Sequence, residues 1–197
     1  MEYEMGSQFA LDMESAKTNN ACIYKGNKYR ISVLTERLIR LEYSETGSFV
    51  DEPTELVWHR NFEKPEFEAD EHGNTLVITT KYFRLTYNKE TPFGGSQVSK
   101  TNNLKIELLG TDKIWYYNHP EVRNYKAPSS LDVAKPDTIK GLYSVDGFTS
   151  IDDSKHKLLN SKGNVRVREE NEIDTYVFMY QKDFSLCLKD YFMLTGY

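Results

Sequence analysis

Adjacent carboxylates are the residues of this chain whose type bears most directly on catalysis. Asp152 and Asp153 are neighbours, and so are Glu169 and Glu170. Hydrolysis of a glycosidic bond needs two carboxyl groups that flank the sugar, about 5 to 10 Å apart. Neighbouring residues of a strand point to opposite faces of a sheet. We therefore expect turn and surface roles for both pairs, and no shared catalytic site.

The histidines and cysteines match no recognised pattern of metal ligands or nucleophiles. The chain has four histidines, which are His59, His72, His119 and His156. Neither a Gly-x-Ser-x-Gly motif nor a phosphate-binding glycine loop occurs. The sequence predicts no metal site, no cofactor and no catalytic residue. Cys22 and Cys187 are expected to be reduced thiols, with one long-range disulfide as the alternative.

Aromatic residues make up 13% of the chain. They favour strands, and exposed ones can stack on sugar rings. The candidates for such stacking are Trp58, Trp115, Tyr116, Tyr117 and Tyr125. The cluster 114–117, beside a long loop, is the most unusual of them, although an aromatic core is the more common role.

Composition excludes several classes of partner. A net charge of −5 gives no electrostatic reason to bind nucleic acid or an anionic membrane. No apolar run approaches the roughly 20 residues that span a bilayer. The first residues are polar and acidic and lack the regions of a signal peptide. These features predict a cytoplasmic protein.

Short segments with strand periodicity recur along the chain and are separated by Gly, Asn and Asp. They are Ile23–Tyr24, Tyr29–Thr35, Arg37–Tyr43, Thr75–Thr80, Tyr82–Tyr87, Leu104–Leu109, Phe148–Ile151, Asn164–Arg168 and Ile173–Tyr180. Gly26-Asn27 is a hairpin-turn signal between the first two. Such spacing is typical of an antiparallel β-sandwich or barrel. We predict a mainly β, antiparallel β-sandwich.

One helix is expected at the C-terminal end, capped by Asp183 and ended by Gly196. Helical spacing places Phe184, Cys187, Leu188, Tyr191 and Leu194 close to one face. The predicted organisation is an irregular arm over residues 1–21, a sandwich over 22–182 and a helix within 183–197. A long proline-containing loop runs from about 118 to 140 and has the length of a functional loop.

Three segments, in order and spacing, resemble the N-terminal part of family 31 glycoside hydrolases. The first holds Arg-Leu-Glu-Tyr at 40–43, then Pro-Thr at 53–54 and Arg-Asn-Phe at 60–62. The second, 141–154, reads Gly-Leu-Tyr-Ser-Val-Asp-Gly-Phe-Thr-Ser-Ile-Asp-Asp-Ser. The third begins Asp-Thr-Tyr-Val-Phe-Met-Tyr at 174–180 and ends Leu-Thr-Gly at 194–196.

The likeness covers about residues 22 to 197 and departs from the family at two positions. Phe148 stands where the family usually has Trp, and Gln181 where it usually has Gly. The resemblance implies a galactose-mutarotase-like sandwich within a retaining, exo-acting α-glycosidase, typically an α-glucosidase. The family's two catalytic Asp residues belong to a barrel that follows this part, so the 197-residue chain is expected to be inactive.

The resemblance also implies a contact with substrate. Segment 124–132, Asn-Tyr-Lys-Ala-Pro-Ser-Ser-Leu-Asp, is similar to a family loop that reaches over the barrel mouth. By that match Asp132 accepts hydrogen bonds from sugar hydroxyls, which are strong when the acceptor is charged. The alternative is that Asp132 only caps a turn.

Two other functions compete with this non-catalytic domain. A stand-alone carbohydrate-binding sandwich would retain a sugar without the barrel. A mutarotase-type enzyme would need a positioned His acid and a carboxylate base, for which no motif is found. The expected partners are an α-glucoside or related oligosaccharide and the chain's own barrel. An apolar face uncovered by absence of the barrel would also favour a homo-oligomer.

Overall fold

The computed structural model describes residues 11–95, 103–125, 140–168 and 172–196. Its strands are short and all pairings between them are antiparallel. In chain order they are β1 (Ile23–Lys25), β2 (Tyr29–Thr35), β3 (Leu38–Tyr43), β4 (Glu68–His72), β5 (Thr75–Thr79), β6 (Phe83–Asn88), β7 (Leu104–Leu108), β8 (Ile114–Tyr116), β9 (Thr149–Asp152), β10 (Leu158–Leu159), β11 (Val165–Arg166) and β12 (Ile173–Phe178). One helix, α1 (Phe184–Thr195), follows them.

Two five-stranded sheets form the sandwich, and β10 and β11 make a separate small ribbon. Sheet one has the strand order β1-β2-β3-β12-β9, and sheet two is the meander β4-β5-β6-β7-β8. Because β12 inserts between β3 and β9, sheet one is complete only when distant parts of the chain come together. The predicted fold class, a mainly β antiparallel sandwich with a C-terminal helix, is confirmed.

The core between the sheets is built by alternation. Every second residue of β2, β3, β6 and β7 points inward, and these side chains are almost fully buried. They are Tyr29, Ile31, Val33, Ile39, Leu41, Tyr43, Phe83, Leu85, Tyr87, Leu104, Ile106 and Leu108. Removal of this apolar surface from water contributes roughly 25 cal/mol per Å² and is the main stabilising term of the sandwich.

The outer face of sheet one is buried too, and a second apolar cluster lies there. Leu34, Leu38 and Phe178 pack against Cys187 and Leu194 of α1. The segment that leads to Phe62 and the described part of the N-terminal arm complete this cover. Ser15, in that arm, accepts a hydrogen bond of 2.7 Å at its carbonyl from the Arg60 amide. Sheet one is therefore covered on both sides.

Three strands lie outside the segments that sequence periodicity indicated. Strand β4 is Glu-Ala-Asp-Glu-His, a composition with low strand propensity, and it forms because β5 pairs with it at the sheet edge. Strand β8 contains part of the aromatic cluster 114–117, and β10 has only two residues. Strands this short carry too few residues to show a period of two.

Helix α1 has the predicted caps, and its predicted apolar face is only partly buried. The Asp183 side chain accepts from the Leu186 amide, and Gly196 ends the helix with a φ of 85°. Cys187 and Leu194 are buried, whereas Phe184 and Leu188 are 42% and 39% exposed. The contact of α1 with sheet one therefore covers only part of the apolar face that the spacing predicted.

Gly147, in the second resembling segment, lies so close to Gln181 that the backbone there favours glycine. Gly147 has a φ of 81°, and a Cβ there would lie 3.0 Å from Cα of Gln181. Gln181 itself has a φ of 54°, at the position where the family usually has Gly. Both residues therefore occupy a left-handed conformation that favours glycine.

We expect Gly147→Ala to destabilise the chain by about 1–3 kcal/mol, from backbone strain and steric overlap. Gly110→Ala is the matched control, because Gly110 has a φ of 78° but open space around its Cα. Urea unfolding followed by circular dichroism measures both variants. Equal losses in the two would show that strain alone matters, and that the contact with Gln181 does not.

Candidate functional site

A network of buried charges covers the outer face of sheet one. Arg40, at its centre, is fully buried. Its Nε and Nη2 atoms donate to the two carboxylate oxygens of Asp174 at 2.8 and 2.7 Å. Nη2 also lies 3.0 Å from a carboxylate oxygen of Glu42. This two-bond geometry is the strong form of an Arg–carboxylate pair.

Arg30 extends the network towards β1. Its Nε and Nη2 atoms donate to both carboxylate oxygens of Glu42, at 2.6 and 2.8 Å. Arg30 and Arg40 both donate to the carbonyl of Val50, at 2.7 and 3.1 Å. Two guanidinium groups and two carboxylates thus pair with one another, and Arg30 also donates to the exposed Asp51 at 2.7 Å.

Asp153 extends the network in the other direction. Arg168 Nη2 donates to both Asp174 and Asp153, at 2.9 and 3.0 Å. Thr54 donates to Asp153 at 3.0 Å, and His156 Nδ1 lies 2.9 Å from the same carboxylate oxygen. Arg60 Nη2 is 3.8 Å from the other oxygen. Asp153 is fully buried, so its carboxylate is held by protein groups alone.

The three resembling segments meet in this network. Arg40 and Glu42 come from the first, Asp153 from the second and Asp174 from the third. Strand register explains the meeting, because Glu42 pairs with Asp174 across β3 and β12. Burial excludes contact with a substrate. The motif residues in the network hold the sheet and its cover together.

Burial and neighbouring charges shift the pKa values of two carboxyl groups, those of Asp153 and Asp174, in opposite directions. Burial and the charge of Asp174 raise the pKa of Asp153 to about 6. Burial would also raise the pKa of Asp174, but Arg40, with its charge and hydrogen bonds, holds it well below its usual range, and Arg168 lowers it further. The network therefore keeps Asp174 ionised and makes Asp153 the group most ready to take up a proton.

Stability should therefore depend on pH through these two groups. Folded Asp153 binds a proton more tightly than unfolded Asp, so acidification from about pH 7 to about pH 5 should raise the free energy of unfolding, by on the order of 1 kcal/mol. Below about pH 4 the free energy of unfolding should fall. The pKa of Asp174 is lowered in the folded chain, so the unfolded chain binds protons at this residue more readily than the folded chain does. Urea unfolding across this pH range measures both effects.

Asp153→Asn should remove the rise between neutral and mildly acidic pH and keep the later fall. Asp152→Asn is the control, because Asp152 is the exposed neighbour of the buried Asp153. An unchanged pH profile in Asp153→Asn would contradict the assignment of the raised pKa.

The carboxylate pair 152–153 points to opposite sides, as its spacing predicted, but the expected surface role was wrong for Asp153, because Arg168 and Thr54 hold its carboxylate in the interior. Asp152 is exposed and Asp153 is fully buried, so the two point away from each other. Glu169 and Glu170 lie outside the described residues. Among the described residues, no group of three or more His, Cys, Asp or Glu side chains is placed to hold a metal ion. Cys22 and Cys187 are buried free thiols.

The aromatic candidates divide into core and surface. Trp115 and Tyr116 are 1% and 7% exposed, so the cluster 114–117 belongs largely to the core and offers no sugar platform there. Trp58 and Tyr125 are 37% and 54% exposed. Phe184, on the predicted apolar face of α1, is a further exposed ring. Sequence position alone does not reveal which ring faces solvent.

Asp132, the residue assigned to substrate by resemblance, lies outside the described residues. The described chain on either side of its loop is anchored to the sandwich. Asn124 Nδ2 donates to the Gly141 carbonyl at 2.8 Å, and the Gly141 amide donates back to the Asn124 side chain at 2.8 Å. The role of Asp132 stays a prediction.

Comparison with known proteins gives a limited result. No protein-family model matches the chain, and no curated protein matches it. Two matching solved structures are of a GH31 dextranase from Flavobacterium johnsoniae. The complex with glucose has 13% identity and a TM-score of 0.44, and a mutant complexed with isomaltotriose has 14% and 0.42.

Each match covers 88% of this chain and 26% of the dextranase chain. This chain thus spans about a quarter of the length of those structures. A search of the described residues also finds no helix long and apolar enough to cross a membrane.

Proposed function

We propose that this chain is a non-catalytic β-sandwich domain of a retaining, exo-acting α-glycosidase of the family 31 type, an α-glucosidase in the simplest case. The proposal includes a sandwich over residues 22–182, a helix within 183–197 that leads towards a catalytic barrel, and a cytoplasmic location. The observation that carries it is the meeting of the three resembling segments in one buried network. Motifs that match by chance have no reason to share contacts.

The exposed side of α1 supports a partner of apolar surface. Phe184, Leu188 and Phe192 follow one another at four-residue intervals and are 42%, 39% and 44% exposed. Residues four apart lie on one side of a helix, so the three form a continuous stripe. We assign Leu188 and Phe192 of this stripe to the contact with the barrel, whereas Phe184 also lines the cleft described below. Exposed apolar stripes of this kind mark interaction surfaces more often than free surface.

Asp132 is the proposed contribution of the domain to the substrate pocket. We expect Asp132→Ala in the full-length enzyme to lower kcat/KM on α-glucosides by about tenfold to a hundredfold, since a charge-assisted hydrogen bond contributes about 1.5–3 kcal/mol. Asp137→Ala, in the same loop, is the matched control and should leave kcat/KM nearly unchanged. The 197-residue chain alone should release no glucose from maltose.

Two results would remove this role. The first is an unchanged kcat/KM in Asp132→Ala, and the second is an equal loss in Asp137→Ala. Hydrolysis by the 197-residue chain would contradict the non-catalytic assignment as a whole.

A carbohydrate-binding sandwich is the second candidate, and one observation favours it. A cleft on the described surface combines exposed aromatic rings with polar groups, as developed below. A mutarotase-type role has less support. His156 and Asp153 do form a pair, but Asp153 is fully buried. A general base must reach the proton that it removes.

A further inference from the structure

A cleft of about 680 Å³ opens beside the N-terminal end of α1, away from the charge network. Its walls are the start of α1, the turn at 144–147 and the turn between β7 and β8. The volume falls within the 300–1,000 Å³ range of ligand pockets. None of the network residues Arg40, Asp153 and Asp174 lines it.

Two aromatic rings stand exposed at this cleft, and they are held to different degrees. Phe184 packs against Tyr143 with ring centroids 4.8 Å apart, and the Tyr143 hydroxyl donates to the Phe184 carbonyl at 3.0 Å. The Tyr125 amide donates to the Tyr143 carbonyl at 2.8 Å, which anchors its backbone at the cleft. The Phe184 ring is therefore placed before any ligand arrives, which lowers the entropic cost of binding.

Charges at the cleft are balanced. Lys113 lies 3.1 Å from Asp112, and Asp146 accepts from Arg123 at 3.0 Å. Lys182 is the other charged residue of the lining. Paired charges attract neither a strongly anionic nor a strongly cationic ligand, yet they still offer donors and acceptors. The complementary ligand is neutral and has many hydroxyl groups and an apolar ring face.

We infer that this cleft binds a neutral saccharide of one or two pyranose rings. A ring face stacks on Phe184 and Tyr125, and hydroxyl groups hydrogen-bond to Asp146, Lys113 and Lys182. The inference rests on the carbohydrate-binding candidate of the proposed function. It concerns different residues from Asp132 and needs no barrel.

The test is a titration of the ¹⁵N-labelled 197-residue chain, followed by amide chemical shifts. Maltose and isomaltose are the saccharide probes, and citrate and spermidine are the charged controls. We expect saturable shifts at the amides of Gly147, Gln181 and Lys182 with a millimolar dissociation constant for at least one saccharide. We expect no saturable shift at these amides with either charged probe.

Variants separate stacking from folding. Phe184→Ala and Tyr125→Ala should each weaken binding by about fivefold or more, since each removes an aromatic surface on which the sugar ring packs. Phe184→Tyr keeps the ring and should retain affinity. Leu188→Ala changes an equally exposed residue of α1 outside the cleft lining and should bind as the unchanged chain does.

Three outcomes would overturn the inference. They are the absence of saturable shifts with both saccharides, an equal response to citrate or spermidine, and an equal loss of affinity in Leu188→Ala. None of them decides the proposed enzyme role, because that role is tested by Asp132→Ala in the full-length enzyme. Failure of the saccharide titration would remove the binding cleft, whereas an unchanged kcat/KM in Asp132→Ala would remove the substrate contact of the enzyme role.

Discussion

Arg40→Met is expected to lower the free energy of unfolding by about 3–5 kcal/mol, the usual cost of removing one partner of a buried ion pair. Methionine fills a similar volume but carries no charge. Asp174 would keep Arg168 as a partner, whereas it would lose both hydrogen bonds from Arg40. Glu42 would keep only Arg30. The buried carboxylates of Asp174 and Glu42 would thus each lose a positively charged partner, which destabilises the folded chain.

Arg84→Met supplies the matched control, because Arg84 is exposed on β6 of the other sheet. Surface substitutions of this kind usually change stability by about 0.5 kcal/mol or less. Urea unfolding of the two variants and the unchanged chain gives the comparison. A loss in Arg40→Met no larger than that in Arg84→Met would show that the network does not stabilise the sandwich.

Trp115→Ala should cost about 3–5 kcal/mol, as truncation of a large buried aromatic side chain does. Trp115 is 1% exposed and belongs to the core between the two sheets. Its indole nitrogen also donates to Glu121 at 3.4 Å. Alanine would leave a cavity and remove that donor.

Trp58→Ala serves as its control, because Trp58 is 37% exposed and packs beside Gly196 at the end of α1. We expect a loss of about 1 kcal/mol or less there, as for partly exposed side chains. Thermal unfolding by circular dichroism compares both. A similar fall in Tm for the two variants would contradict the placement of Trp115 in the core.

Local patterns in the sequence predicted the parts of the fold that local physics determines. Alternation in β2 and β3 identified the strands, since their inner residues are apolar at a period of two. The caps Asp183 and Gly196 gave the ends of α1 because capping depends on a few neighbouring residues. The same logic failed for β4, whose polar residues pair only because β5 is present.

The charge network could not be predicted from local patterns. Arg40 and Glu42 look like the solvent-facing side of an amphipathic strand. They can be buried because Asp174, on the neighbouring strand β12, pairs with them. Asp174 is 134 residues from Arg40 in the sequence. Long-range pairing of this kind leaves no periodic signal. The three resembling segments did point to these residues, but the resemblance did not say why they occur together.

For the candidate binding residues, the sequence identifies the aromatic rings but not which of them are exposed. Tyr125 was among the aromatic candidates, but so was Trp115, and only the fold separates an exposed ring from a core ring. Phe184 was placed on an apolar helix face, but helical spacing does not state how much of such a face the sheet covers. Exposure is a property of the packed molecule, so sequence position can nominate such residues but cannot rank them.

The coding sequence downstream of codon 197 tests the central claim most directly. A domain of a family 31 type α-glycosidase should be followed, in frame, by a proline-rich turn and then by alternating strands and helices of a barrel. That barrel should carry the two catalytic aspartates. An in-frame stop codon directly after Tyr197 would contradict the proposed function.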